Sequence, residues 1–134
     1  MTLSYLTLKP ILRGAAGLSI ATLMLPGISC GNSNSQPPAI VIAFSVSYPP
    51  PTTLSTNATV GIAAAITNDP KNAGVSFACT PAGNCGSFTP DPIASEVPTQ
   101  YQAPNAIPPG GTVTVTASSV TDPTKSVSAT ITID

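Results

Sequence analysis

The chain has 134 residues, the length of one domain. It carries four Lys/Arg, five Asp/Glu, no His and no Trp, and its charged fraction is 7%, against about 25% in an average soluble protein. Four scattered cations cannot form the basic patch of a nucleic-acid binder, the absence of His excludes His-based hydrolysis and His-ligated metal sites, and general acid–base chemistry is short of residues.

The first thirty residues read as an address. Residues 1–25 hold Lys9 and Arg13 and no acid, and residues 14–25 (GAAGLSIATLML) are an uncharged, mostly apolar run. A basic start, a short apolar stretch and small residues at its end describe a helical secretory signal peptide over 1–29. Twelve residues rise about 18 Å as a helix, short of a bilayer core of about 30 Å. The competing reading is an uncleaved anchor or an amphipathic helix. Cys30 follows Ser29 and precedes the polar stretch GNSNSQ. This resembles the lipobox of bacterial lipoproteins, with a small residue before the cysteine, although Gly27 stands where an aliphatic residue is usual. The resemblance implies acylation of the Cys30 thiol and amino group and cleavage before it. More than one acyl chain gives a stable membrane anchor. Gly31 is not Asp, so nothing resembles an inner-membrane retention signal, and the outer membrane is the expected destination in a host that has one. The ordinary alternative is a secreted protein with a stray thiol. Removal of 1–29 leaves Lys71 and Lys125 against Asp69, Asp91, Glu96, Asp122 and Asp134, a mildly acidic domain.

Residues 30–38 end in NSNSQPP and read as a lipidated N-terminus and flexible tether. From 39 to 134 the pattern is strands and turns, with no 3.6-residue period. Residues 39–47 (AIVIAFSVS) predict a first strand, ended by Pro49, Pro50 and Pro51. Residues 58–67 (ATVGIAAAIT) alternate, with Val60, Ile62, Ala64 and Ile66 on one face. A turn at 68–72 follows. Residues 74–79 (GVSFAC) place Val75, Phe77 and Cys79 on one face, and 95–103 hold a weaker, Pro-interrupted strand. After the turn at Pro108–Gly111, residues 112–120 (TVTVTASSV) send Val113, Val115 and Ala117 inward. Residues 121–124 turn the chain into 126–133 (SVSATITI), with Val127, Ala129, Ile131 and Ile133 on one face. These last two strands form the most secure hairpin. About seven short strands with Pro/Gly turns indicate an all-β, antiparallel sandwich.

The core of such a domain is thin, and a covalent staple helps a chain this small. Cys79 and Cys85 are spaced C-T-P-A-G-N-C, so a strand and turn can bring them within disulfide reach, and an exported context favours oxidation. No third ligand accompanies them and the spacing is not C-x-x-C, which argues against a metal or redox site.

Residues 99–104 (TQYQAP) and 112–133 (TVTVTASSVTDPTKSVSATITI) are similar to a bacterial Ig-like domain of the group 2 type. The matching steps are Tyr101-Gln102-Ala103-Pro104 and the run from Val113 through Asp122, Thr124 and Lys125 to Ile133. Cys79, Cys85 and Gly86 resemble a short Cys-bearing hairpin of such domains. The resemblance covers about 39–133 and is strongest in the last third. It implies an Ig-like β-sandwich and brings no catalytic residues and no cofactor. Such domains often come as repeats, and one copy is visible here.

Tyr101 is expected to pack on the core with its hydroxyl bonded to backbone, and Phe44, Phe77 and Phe88 to be core. Asp69, Asp91 and Asp122 read as Asx-turn formers, since a calcium site needs more clustered oxygens. Asn57-Ala58-Thr59 matches a glycosylation pattern that a bacterial context leaves without a role. The expected function is non-enzymatic: a cell-envelope lipoprotein displaying one Ig-like module as a spacer, adhesive or protein-contact element. Its membrane partner would be reached through lipidated Cys30, with an envelope protein or polysaccharide as contact and no nucleic acid. A glycan-binding module using Tyr48 or Tyr101, and a remnant of a multi-repeat surface protein, are the alternatives.

Overall fold

A computed structural model describes residues 35–134. The expected signal peptide over 1–29 and Cys30 lie outside the described residues. Within them there is no helix. Nine strands follow in order: β1 (Val41–Phe44), β2 (Thr53–Leu54), β3 (Thr59–Ile62), β4 (Ala64–Thr67), β5 (Val75–Thr80), β6 (Ser87–Thr89), β7 (Thr99–Gln102), β8 (Thr112–Ser119) and β9 (Ser126–Ile133).

The strands form a sandwich-like arrangement. One layer is β2–β9–β8–β5, and the pairs β1–β4 and β3–β7–β6 supply the other. The expected hairpin is the longest pairing, β8 against β9 from Thr112↔Thr132 to Ser118↔Ser126. Thr, Val and Ile suit a pleated, half-buried surface, which is why this segment holds eight-residue strands. Val113, Val115 and Ala117 are buried as their alternation predicts, and Ile131 and Ile133 join them.

Four expectations are corrected. Nine strands replace about seven, because the two-residue β2 and three-residue β6 are too short to leave a periodic signal. The pairing is not wholly antiparallel, since β2 runs parallel to β9 through Thr53↔Thr132 and Leu54↔Ile133. The predicted strand over 58–67 divides at Ala63. Its first half pairs with β7 and its second with β1. At the division Ala63 donates to the Tyr48 carbonyl and accepts from Ser45, so the break loses no backbone hydrogen bond. The first strand also shortens from 39–47 to Val41–Phe44, as the chain bends after Phe44.

Both layers contribute to one core. Ile62, Ala64, Tyr101 and Ala103 come from one side, and Val75, Phe77, Val113, Val115, Ala117, Ile131 and Ile133 from the other. Phe77 is buried as expected, whereas Phe44 and Phe88 are half-buried and pack against the core from its margin. Tyr101 is fully buried and donates its hydroxyl to the Cys85 carbonyl at 2.6 Å. Burial pushes the Tyr101 phenol up, so it stays protonated and able to donate. Its ring lies 4.9 Å from Phe88, whose ring lies 5.4 Å from Phe77. Cys79 and Cys85 form a disulfide across a Cα–Cα distance of 5.7 Å.

Strand direction gives the domain two poles. At one, the chain enters beside the turn at 68–72, where the Asn68 amide donates to the Ala39 carbonyl, and Thr121 of the β8–β9 turn donates to Asp69. At the other lie residues 55–58, the disulfide loop, residues 103–111 and Asp134, tied by Thr56 N to Asp134 O and Ile133 N to Gly111 O.

Two stability effects follow. Reducing Cys79–Cys85 is expected to cost about 2 kcal/mol on the chain-entropy account. Differential scanning calorimetry should show this as a Tm lowered by several degrees. Tyr101→Phe leaves the Cys85 carbonyl without its partner, at a cost of about 1–3 kcal/mol. The raised phenol pKa gives stability that is fully present below the ordinary value of 10.0 and is lost as pH rises through the folded value. Tyr101→Phe should therefore flatten the alkaline limb of a Tm–pH profile.

Candidate functional site

Three loops converge at the pole opposite the chain entry. Asn57 has a φ of 60°, a left-handed conformation that Asn tolerates better than most residues. Its N–H donates to the Pro104 carbonyl at 3.0 Å, and Ala103 N–H donates to the Ala58 carbonyl at 2.8 Å. The disulfide holds the second loop, in which Gly86 has a φ of 91°. A Cβ at Gly86 would overlap the Gln102 carbonyl, so only glycine lets the loop lie this close to β7.

Between these loops is an open concavity of about 300 Å³. Asn57, Gln102 and Asn105, all exposed and all carrying side-chain amides, line it beside Ser87, Gly83 and Gly86. Buried Ala103 and Pro104 complete the lining, which holds no titratable group. A second concavity, of about 400 Å³, lies at the chain-entry pole. Pro37, Pro38, Ile40 and Pro70 make it mainly apolar, and it is where the end of the tether rests against the 68–70 turn.

The residues singled out in the sequence take separate places. Cys79 and Cys85 are joined. Tyr101 is buried and offers no recognition surface, while Tyr48 is 45% exposed and its ring approaches Gly61. They lie in different settings and form no aromatic platform. Asp69 and Asp122 behave as local turn formers. Asp69 accepts from Lys71 and Ala73 N–H groups, and Asp122 from Thr124 N–H and hydroxyl. Asp91 does not. Its carboxylate accepts from Phe77 N–H at 2.8 Å and from the Ser76 hydroxyl, so it seals the outer edge of β5 instead of closing its own turn. Among the described residues no three His, Cys, Asp or Glu side chains gather as a metal site would need. The amide concavity escaped sequence reading because Asn57, Gln102 and Asn105 belong to separate loops and carry no shared spacing.

Hydrogen bonds hold the carboxyl of Asp69 below the usual carboxylate range, first the Thr121 hydroxyl and then the N–H groups of its turn. The Thr124 side chain and N–H do the same for Asp122, with Lys125 adding attraction. A lowered folded pKa gives stability that is present above the ordinary value of 3.8 and is lost as pH falls through the folded value. Asp69→Asn should thus lower Tm near pH 7 and cease to matter in strong acid. A deficit that persists unchanged at low pH would trace it to packing.

Comparison with known proteins yields no match: no family model fits the chain, and neither a curated protein nor a solved structure is significantly similar to it.

Proposed function

We propose that the chain is an exported, non-enzymatic lipoprotein of the cell envelope, anchored through acylated Cys30 and displaying one Ig-like module as a spacer and contact element. Export and acylation rest on the apolar run at 14–25 and the Ser29-Cys30 step, and the observation that supports the Ig-like module is the strand order. With β3 and β4 taken as halves of one strand, one layer runs β1–β4/β3–β7–β6 and the other contains β5–β8–β9. Glu96 N–H donates to the Ala64 carbonyl, so the approach to β7 lies along the edge of β4 away from β1. This is the order of the four-strand and three-strand layers of an immunoglobulin-type sandwich. The staple differs from the antibody pattern, because it closes a turn after β5 and does not bridge the two layers.

The two-pole geometry supports a display role. Six residue steps lead from Cys30 to Gln36, at most about 20 Å of fully extended chain. An anchor at Cys30 therefore keeps the chain-entry pole near the membrane and leaves the loops at 55–58, 81–86 and 103–111 as the surface presented to partners. The acids support a non-enzymatic role. Asp69, Asp91, Glu96, Asp122 and Asp134 each accept a structural hydrogen bond from a Ser or Thr hydroxyl. No pair of them is left to act as acid and base.

The test is intact mass and membrane fractionation of the protein from a bacterial host, beside Cys30→Ala. The expected wild type is membrane-bound, begins at Cys30 and exceeds its peptide mass by acyl groups, while the variant does not. A soluble, unacylated wild type would remove the anchor and leave a secreted module.

A further inference from the structure

We propose that the amide-lined concavity at the far pole is a binding site for an uncharged, hydroxyl-rich ligand, the chain end or a short stretch of a neutral polysaccharide. The inference goes beyond the display role and does not depend on acylation at Cys30.

The chemistry of the lining points to this class. Asn57, Gln102 and Asn105 each present an acceptor oxygen and an NH2 with two donors, and Ser87 adds a hydroxyl. An amide can donate to one hydroxyl of a sugar while accepting from the next. Carboxylates and ammonium groups cannot do both, and none lines this concavity. Ala103 and Pro104, both buried, form the floor beneath these groups. A volume of about 300 Å³ lies at the lower end for small-ligand sites. Its openness to solvent suits a polymer that enters and leaves at the rim.

The frame is held before any ligand arrives. The disulfide, the Tyr101–Cys85 bond, the Asn57–Pro104 and Ala58–Ala103 bonds and the Ser87↔Gln102 pairing fix the backbone beneath all three amides. On the protein's side, binding then costs mainly the ordering of these three side chains. Charge selects against anionic glycans. The two lysines among the described residues, Lys71 and Lys125, sit in the turns at the opposite pole, so nothing at the concavity compensates a uronate or a phosphate.

The experiment uses the full chain in a detergent without a sugar headgroup, labelled with 15N. Maltohexaose, cellohexaose and xylohexaose are titrated separately, with oligogalacturonate as the anionic counterpart. At least one neutral hexasaccharide is expected to shift the side-chain NH2 signals of Asn57, Gln102 and Asn105, with an affinity unchanged by added salt. The variant Asn57→Gly/Gln102→Ala/Asn105→Ala keeps a residue that tolerates the left-handed backbone at 57. It should lose about tenfold or more in affinity. Asn105→Ala alone, at an exposed loop position, should lose part of it with Tm unchanged. Shifts centred on Tyr48, equal binding of oligogalacturonate, or no response to any neutral glycan would each overturn the proposal. None of these outcomes bears on the anchor, which the mass measurement decides separately.

Discussion

The hydrogen bond from Tyr101 to the Cys85 carbonyl joins parts that strand pairing leaves separate. Tyr101 lies on β7 in one layer, and Cys85 closes the loop that leaves β5 in the other. The ring continues the connection through Phe88 to Phe77, so three aromatic side chains link the two layers. In a core made mainly of Val, Ile and Ala, Tyr101 is the largest fully buried side chain. The hydroxyl matters as much as the ring, because it satisfies a carbonyl that the core would otherwise orphan. The disulfide fixes the same loop from its other side. Gly86 then lies against the Gln102 carbonyl, where no side chain fits. The position of the disulfide loop at the far pole therefore depends on this buried phenol together with the disulfide.

A shortage of cations shapes the rest. With few lysines to pair, the carboxylates find neutral hydroxyl donors. Thr121 donates to Asp69 at 2.6 Å, Ser45 to Glu96 at 2.8 Å, Ser55 to Asp134 at 3.1 Å and Thr124 to Asp122 at 2.6 Å. Bonds of this kind are stronger than neutral ones because the acceptor is charged. Three of them sit at junctions, and the Thr124–Asp122 bond closes its own turn. Asp69 ties two turns, Glu96 ties the exit of β1 to the approach to β7, and Asp134 ties the end of β9 to the chain beyond β2. Asp91 fixes the border of a sheet. The acids thus do structural work that ion pairs do in more charged proteins, and the Ser/Thr-rich composition supplies the donors.

The parts of this fold that were legible in the sequence are those decided locally. The β8–β9 hairpin is set by its own alternation and a short turn, and Val113, Val115, Ala117, Ile131 and Ile133 are buried as read. Tyr101 was legible as a core residue because a tyrosine in a sandwich strand ordinarily packs its ring on the core and bonds its hydroxyl to backbone. What was missed depends on distant chain. β2 and β6 exist because β9 and β7 offer them an edge. The alternation from Val60 to Ile66 is unbroken in sequence, yet the strand changes partners at Ala63. Asp91 obeys a turn rule on paper, but the N–H of Phe77, fourteen residues away, captures it. The amides at the far pole carry no pattern at all, and only the folding of three loops toward one point brings them together.

The solvent face of the larger layer explains why the poles carry the chemistry. Thr112 and Thr132, Thr114 and Thr130, Thr116 and Ser128, and Ser118 and Ser126 face one another across β8 and β9. Thr116 and Ser128 hydroxyls meet at 2.8 Å. Such cross-strand pairs stabilise a sheet while keeping its surface wettable. They also leave it neutral, without the charged side chains that usually guard a sheet against edge-to-edge association. Protection comes from closing the edges. Asp91 and Ile93 occupy the outer edge of β5, Pro90 and Pro92 follow β6, and β2 is only two residues long. A face of uniform hydroxyls discriminates poorly between partners, and a closed edge accepts no added strand. For this layer, selective contact is then left to its ends, where the loops differ from one another and the backbone beneath them is held in place.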